Sequence, residues 1–198
     1  MLQSAVIDNA SLIYLSHLHR EKAFFQYLRN LFSTIYFPSE VVIEYARGAA
    51  REPHREWVLQ QLRPDYGFYR SCYSYDSIVL AMIATKKGFD KGEAEAYAQL
   101  GKVNAQLIIS DDKAFIEALK QLNSGIRVYT TLHLICWLEH AKLLPDWKEM
   151  IQALFLLRPF KSSELRQAYL QLAERLGLNI SKKEVSAKCS LSKIIERR

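Results

Sequence analysis

Cysteine is scarce and odd in number in this 198-residue chain, with Cys72, Cys136 and Cys189 widely spaced. No disulfide framework follows from three such residues, and a reducing setting is expected. The seven glycines are scattered, and no G-x-x-x-x-G-K run is available to cradle nucleotide phosphates. No apolar run approaches the ~18 residues that a membrane span needs. The first fifteen residues have neither a basic opening nor a small-residue cleavage site, so no secretory signal is expected. Together these absences point to a cytoplasmic protein without a membrane partner. There is also no internal repeat and no low-complexity stretch.

The composition that is present is that of a globular protein, 49% hydrophobic and 24% charged. A chain of this length can bury a core without help from metals or bridges. The charge is unevenly placed. Residues 158–198 hold ten Lys/Arg and four Asp/Glu, so the whole +6 excess lies there, and residues 1–157 are balanced. Such an end suits an anionic partner such as nucleic acid or anionic lipid, or is simply a solvated basic tail. Lys182, Lys183, Lys188 and Lys193 are its candidate phosphate contacts.

Hydrophobic patterning alternates short β-branched runs with helical spacings. Strands are expected at 5–7, 35–37, 106–109 and 127–129, with a short one possible in the tyrosine-rich segment 66–75. Helices are expected from about 12, then over 20–32, from Pro38-Ser39 with Ser39 as cap, and over 56–62, 76–87, 91–103 and from 110–112. Everything after Thr131 reads as helix, including a stripe of Leu165, Ala168, Tyr169, Leu172 and Leu176 halted by Gly177. Alternating strands and helices imply an α/β fold with a central parallel sheet covered on both faces. A helical C-terminal extension is added to it, with 1–145 expected as the core domain and 146–198 as the extension.

Ligands of open α/β sheets bind at the carboxyl ends of the strands, and acidic residues fall there. Asp8 ends the first strand, Glu44 lies in the second turn of a helix, Asp90 and Glu93 open another, and Asp111 and Asp112 follow a strand. Each also has a plain structural role available. Asp8 and Asp112 can cap helices, Asp90 with Glu93 fits a capping box, and Glu44 can be a surface residue. Taken jointly, converging carboxylates repel one another unless a cation balances them. Oxygen-only ligation suits Mg²⁺ or Mn²⁺, and such a site can activate a water against a phosphodiester in the two-metal manner. At ~100° per residue, Glu93 shares a helix face with Tyr97 and Leu100 at the head of the buried stripe. Glu95 shares one with Gln99 and Lys102 and is expected to face solvent. The count separates neither Glu40 from Glu44 nor Asp111 from Asp112.

These segments resemble the PIN-domain family. Val6-Ile7-Asp8-Asn9-Ala10-Ser11-Leu12-Ile13 is similar to its first motif and Phe37-Pro38-Ser39-Glu40-Val41-Val42-Ile43-Glu44 to its second. Asp90-Lys91-Gly92-Glu93-Ala94-Glu95-Ala96 resembles a Gly-Glu-x-Glu-Ala form of the third found in one prokaryotic branch. Leu107-Ile108-Ile109-Ser110-Asp111-Asp112-Lys113-Ala114-Phe115 is similar to the fourth. The likeness spans residues 4–140. It implies a three-layer α/β/α fold and a Mg²⁺- or Mn²⁺-dependent ribonuclease. Asp8, Glu44, Glu93 and Asp111 or Asp112 would be the metal ligands, with Asn9 and Ser110 supporting them through hydrogen bonds. Many relatives are toxins held by a small antitoxin, so RNA, an antitoxin-like protein and a second copy of the chain are the partners the resemblance suggests. The other reading is a PIN-fold module that binds RNA or protein with little or no catalysis.

His133, Cys136 and His140 share a helix face, but the histidines stand roughly 10 Å apart along the axis. Zinc would need further ligands that the sequence does not supply.

Overall fold

The computed structural model of the protein describes residues 3–22, 24–48, 55–61, 67–122 and 125–177. The lysines at 182, 183, 188 and 193 lie outside the described residues.

The first of two compact units runs to Thr131. In it β1 (Gln3–Ile7) leads into α1 (Asn9–Lys22) and the short α2 (Phe24–Leu28), and β2 (Phe32–Pro38) follows. Next come α3 (Ser39–Gly48), α4 (Arg55–Gln61), β3 (Tyr69–Cys72), α5 (Ser77–Ile83) and α6 (Lys91–Gln99). β4 (Leu107–Ile109), α7 (Lys113–Gln121) and β5 (Arg127–Tyr129) complete the unit. The five strands form one sheet in the order β3-β2-β1-β4-β5, and every pairing is parallel. That is the doubly covered sheet expected from the alternating pattern.

The first two crossovers step one way along the sheet and the next two step the other way. With right-handed crossovers, α1–α4 and α5–α7 therefore cover opposite faces, giving three layers. Val6 and Ile108 point to the face where Ala96 of α6, Leu100 just after it, and Phe115 and Leu119 of α7 pack. Their neighbours Ala5, Ile7, Leu107 and Ile109 are also fully buried, which is why these strands read as continuous apolar runs rather than alternating ones. The crossover direction reverses between β1 and β4, and the crevice of a doubly wound sheet opens at such a point.

Two helix expectations need correction. Residues 20–32 are not one helix, because α2 ends at Leu28 and Phe32 already belongs to β2. Turn bonds from Asn30 and Leu31 to Tyr27 and Leu28 close that end. Phe32 is then buried in the sheet, so tertiary burial overrides a helical spacing. Ser39 is likewise not a side-chain cap of α3. It is the helix's first residue, and its hydroxyl donates to the Glu95 carboxylate.

The second unit begins at Leu132 and holds most of α8 (Thr131–His140), then α9 (Trp147–Leu157) and α10 (Ser162–Leu176). Leu165, Ala168, Tyr169 and Leu172 form the buried stripe of α10, and Gly177 ends it in the left-handed conformation, φ 62°. Tyr169 donates to Glu139 at 2.9 Å. His133 bonds Gln171 at 2.9 Å, and burial pushes its pKa down to about 4. His133 and Cys136 are core residues here. Among the described residues, no helix is long and apolar enough to cross a membrane.

Candidate active site

Asp8 is the residue after β1, and its backbone N–H still reaches Ile109 of β4, at 3.0 Å. Its side chain is 3% exposed. One carboxylate oxygen accepts from the Ser11 N–H at 2.9 Å, the capping bond anticipated for α1. The other accepts the hydroxyl of Ser110, the residue after β4. Ser110 Oγ in turn accepts from the Asp112 N–H at 3.1 Å. The ends of the two central strands are thus joined through side chains as well as through the ladder.

The structure separates the two aspartates that follow β4. Asp111 is buried, and its Oδ2 accepts from Ser11 Oγ at 2.7 Å, from the Thr131 N–H at 3.0 Å and from Thr131 Oγ1 at 2.5 Å. It ties the start of α1 and Thr131, the last residue of the first unit, to the end of β4. Asp112 caps α7 through the Phe115 N–H at 2.9 Å and lines a cavity of about 240 Å³.

Asp8, Glu44, Asp90, Glu93 and Asp112 all line that cavity, together with Asn9 and the apolar Ala10, Ile13 and Val41. Four of the five expected ligands therefore share it, and Asp111 stands behind them. Glu40, one turn before Glu44, turns instead to Lys91, with 2.6 Å between Nζ and Oε2. Asp90 and Glu93 form the anticipated capping box at the start of α6: Asp90 accepts from the Glu93 N–H, and Glu93 from the Asp90 N–H, each at 2.8 Å. Gly92 lies between them, and a Cβ there would stand 3.1 Å from Glu44 Oε1 and 3.2 Å from Oε2. The bare backbone of Gly92 gives the Glu44 carboxylate room to lie against α6.

Glu95 is the main departure from expectation. It is 4% exposed rather than solvent-facing. Its Oε1 accepts from the Ser39 N–H at 3.0 Å and from the Ser39 hydroxyl, and its Oε2 accepts from the Glu40 N–H at 2.8 Å. It shares its face with Gln99, which is fully buried and donates to the Cys72 carbonyl at 2.7 Å. The Glu95–Gln99 face is polar in type but inward in position. Glu95 has only a solvent-facing role in the sequence reading, and Gly92, Ser11 and Thr131 have no individual role there. Only Ser11 had a usable signal, standing three residues after a capping aspartate.

Electrostatics follow from this crowding. Burial, and then the nearby Asp111 and Glu93 carboxylates, push the Asp8 carboxyl up to about 8, against the lowering bonds from Ser11 and Ser110. Partial burial raises Glu93 to about 7, with Asp90, Asp112 and Glu44 adding to the rise. Glu44 is also raised, by burial and then by Asp90 and Glu40.

Among the described residues, no three His, Cys, Asp or Glu side chains stand ready as a metal-holding group. Glu93 and Asp112 each give an oxygen to a helix start, and Asp8 gives both of its own to Ser11 and Ser110. The donor chemistry nevertheless fits a hard cation. All the polar side chains on the wall offer oxygen, and Asn9 Oδ1 is buried with no hydrogen-bond partner among the described residues. Two of the carboxyls are held toward the neutral form by desolvation and mutual repulsion, which a cation would relieve.

A family model described as a PIN domain matches residues 4–175. No curated protein matches the chain, and no solved structure does.

Proposed function

Since the chain belongs to the PIN-domain family, whose members are generally nucleases, we propose that it is a Mg²⁺- or Mn²⁺-dependent ribonuclease acting on single-stranded RNA. The observation that carries this reading is the convergence of Asp8, Glu44, Glu93 and Asp112, from four separate segments, on one cavity at the reversal point of the sheet. A fold has no packing reason to bring four carboxylates together, because their repulsion costs stability.

In this reading Asp8, Glu44, Glu93 and Asp112 hold the cation, with Asn9 Oδ1 as a neutral donor beside them. The bound ion supplies an activated water and charge to offset that developing on the phosphodiester. Ser110 orients Asp8 through its hydroxyl, and Ser11 holds the other oxygen of the same carboxylate. Ala10, Ile13 and Val41 form the apolar part of the wall, where low dielectric strengthens each charge interaction. Asp111 keeps its bonds to Ser11 and Thr131 and takes no part in ligation.

The test is cleavage of a single-stranded RNA by the purified protein in Mn²⁺ or Mg²⁺, set against Ca²⁺, EDTA and a single-stranded DNA of the same sequence. Cleavage confined to the RNA with Mg²⁺ or Mn²⁺ supports the reading, and none under any condition overturns it. The capping bonds already made by Glu93 and Asp112 favour a second reading, in which the fold binds RNA or a protein partner without turnover. RNA retained in the same assay without cleavage would select it.

A further inference from the structure

We infer that Glu95 is a positioning residue: it clamps the start of α3 to α6 and thereby sets Glu44 against Gly92 in the cavity. The inference rests on the metal-site reading above.

The geometry is two-point. Helix α6 grips the beginning of α3 through the Glu95 carboxylate, which accepts from the Ser39 N–H, the Ser39 hydroxyl and the Glu40 N–H. The first N–H groups of a helix have no partner within it. A carboxylate there satisfies two of them and meets the positive end of the helix dipole. One turn away on α6, the open backbone at Gly92 receives the Glu44 carboxylate. Gly92 and Glu95 are three residues apart on α6 and so share a face. Glu40 and Glu44 are likewise four apart on α3. The two helices are therefore pinned at one point and fitted at the next, and the distance between them fixes how far Glu44 stands from Glu93. Beside the pin, a further polar contact between the starts of α3 and α6 is the ion pair of Lys91 with Glu40, whose lysine end is exposed, and a partly solvated pair of this kind is worth little.

A burial this deep is costly for a carboxylate unless it is fully bonded, and all three donors come from a segment more than fifty residues away in sequence. Glu95 does not line the cavity. It therefore acts on the site through the placing of α3, and its charge adds a small share to the rise at Glu44.

The experiment compares E95Q, S39A and, as control, E40Q, which loses the Lys91 ion pair but keeps both backbone N–H bonds to Glu95. Mn²⁺ alone is titrated by calorimetry, and amide exchange is followed by residue. An amide side chain must present a donor where the carboxylate presented its second acceptor, so E95Q breaks the clamp at nearly constant volume. The expected result is a dissociation constant for Mn²⁺ raised about tenfold or more, the range for supporting-shell changes. Faster exchange at Ser39 and Glu40 accompanies it, with wild-type protection retained in β4 and α7. S39A shifts both readouts the same way by less, and E40Q shifts neither. If E95Q does not fold, S39A decides by the same two measurements. A stable variant with unchanged Mn²⁺ affinity overturns the inference while leaving the metal site standing. Wild-type protein that takes up no Mn²⁺ overturns the site reading and the inference with it.

Discussion

Ser110 donates its hydroxyl to the Asp8 carboxylate, joining the residue after β4 to the residue after β1. The bond sits where the crossover direction of the sheet reverses, so one short contact locks the two strand ends that the cavity is built on. It also leaves Asp8 nearly enclosed, and that burial is the main reason its carboxyl holds a proton up to about pH 8.

Asp8→Asn is expected to abolish RNA cleavage and leave the fold intact. The sign of its pH effect follows from the raised pKa. Between about pH 4 and pH 8 the folded protein keeps a proton that the unfolded chain, at the ordinary value of 3.8, has released. Metal-free wild-type stability therefore falls as pH rises through that window, and the fall ends above the folded pKa. Asparagine has no proton to lose, so the variant's curve is flatter. At pH 8 it should be the more stable by on the order of a kcal/mol or more. Thermal melts in EDTA from pH 4 to pH 8.5 check this, and an equal pH slope in the two proteins would show that Asp8 titrates normally.

Gly92→Ala should part stability from function. Alanine gains roughly 0.5–1 kcal/mol over glycine inside a helix. Its Cβ would stand 3.1 Å from Glu44 Oε1, close enough to displace a flexible carboxylate without disturbing the backbone. The expected outcome is an unchanged or higher melting temperature with Mn²⁺ affinity and cleavage both reduced about tenfold. Retained affinity would mean that Glu44 has room to spare.

The two aspartates after β4 should fail in opposite ways. Asp111→Ala strips the acceptor from Ser11 Oγ, the Thr131 N–H and Thr131 Oγ1. Leaving buried donors unpaired should cost about 3 kcal/mol, read as a lower urea midpoint. Asp112→Asn keeps a good capping residue for α7 and should cost under about 1 kcal/mol, yet lose cleavage. A stable Asp111→Ala, or an active Asp112→Asn, would reverse the assignment of their roles.

The basic end carries a separate proposal, that Lys182, Lys183, Lys188 and Lys193 contact RNA phosphates. Each such contact contributes about −0.7 to the slope of log affinity against log salt for a single strand. Deleting residues 181–198 should therefore shallow the slope by roughly 2 to 3 units if three or four of these lysines engage. Mn²⁺ affinity should be unchanged, because every proposed ligand lies at or before Asp112. RNA binding is measured in Ca²⁺ to hold off cleavage, and an identical slope in the shortened chain would exclude the tail as an RNA contact.

Much of this was legible in the linear order of residues, because it depends on neighbours in the chain. The apolar runs at 5–7 and 107–109 are strands buried on both faces. Asp90 with Glu93, and Asp112, cap the helices they precede, since a helix start needs an acceptor within three residues. That acidic residues gather where strands end was visible for the same local reason. The choices among near-equivalent carboxylates were not. Glu40 and Glu44 lie one turn apart, so helical periodicity puts them on the same side. Only Lys91 from another helix and the open backbone of Gly92 send one to an ion pair and the other to the cavity. Asp111 and Asp112 parted because Thr131, twenty residues on, supplied donors to the first. Glu95 reads from its own helix as a solvated charge, and tertiary structure buries it because its three donors arrive from the start of α3. Pattern within a segment tells which groups can be charged or buried. Whether a buried charge is tolerated depends on partners that only the folded chain brings within hydrogen-bonding distance.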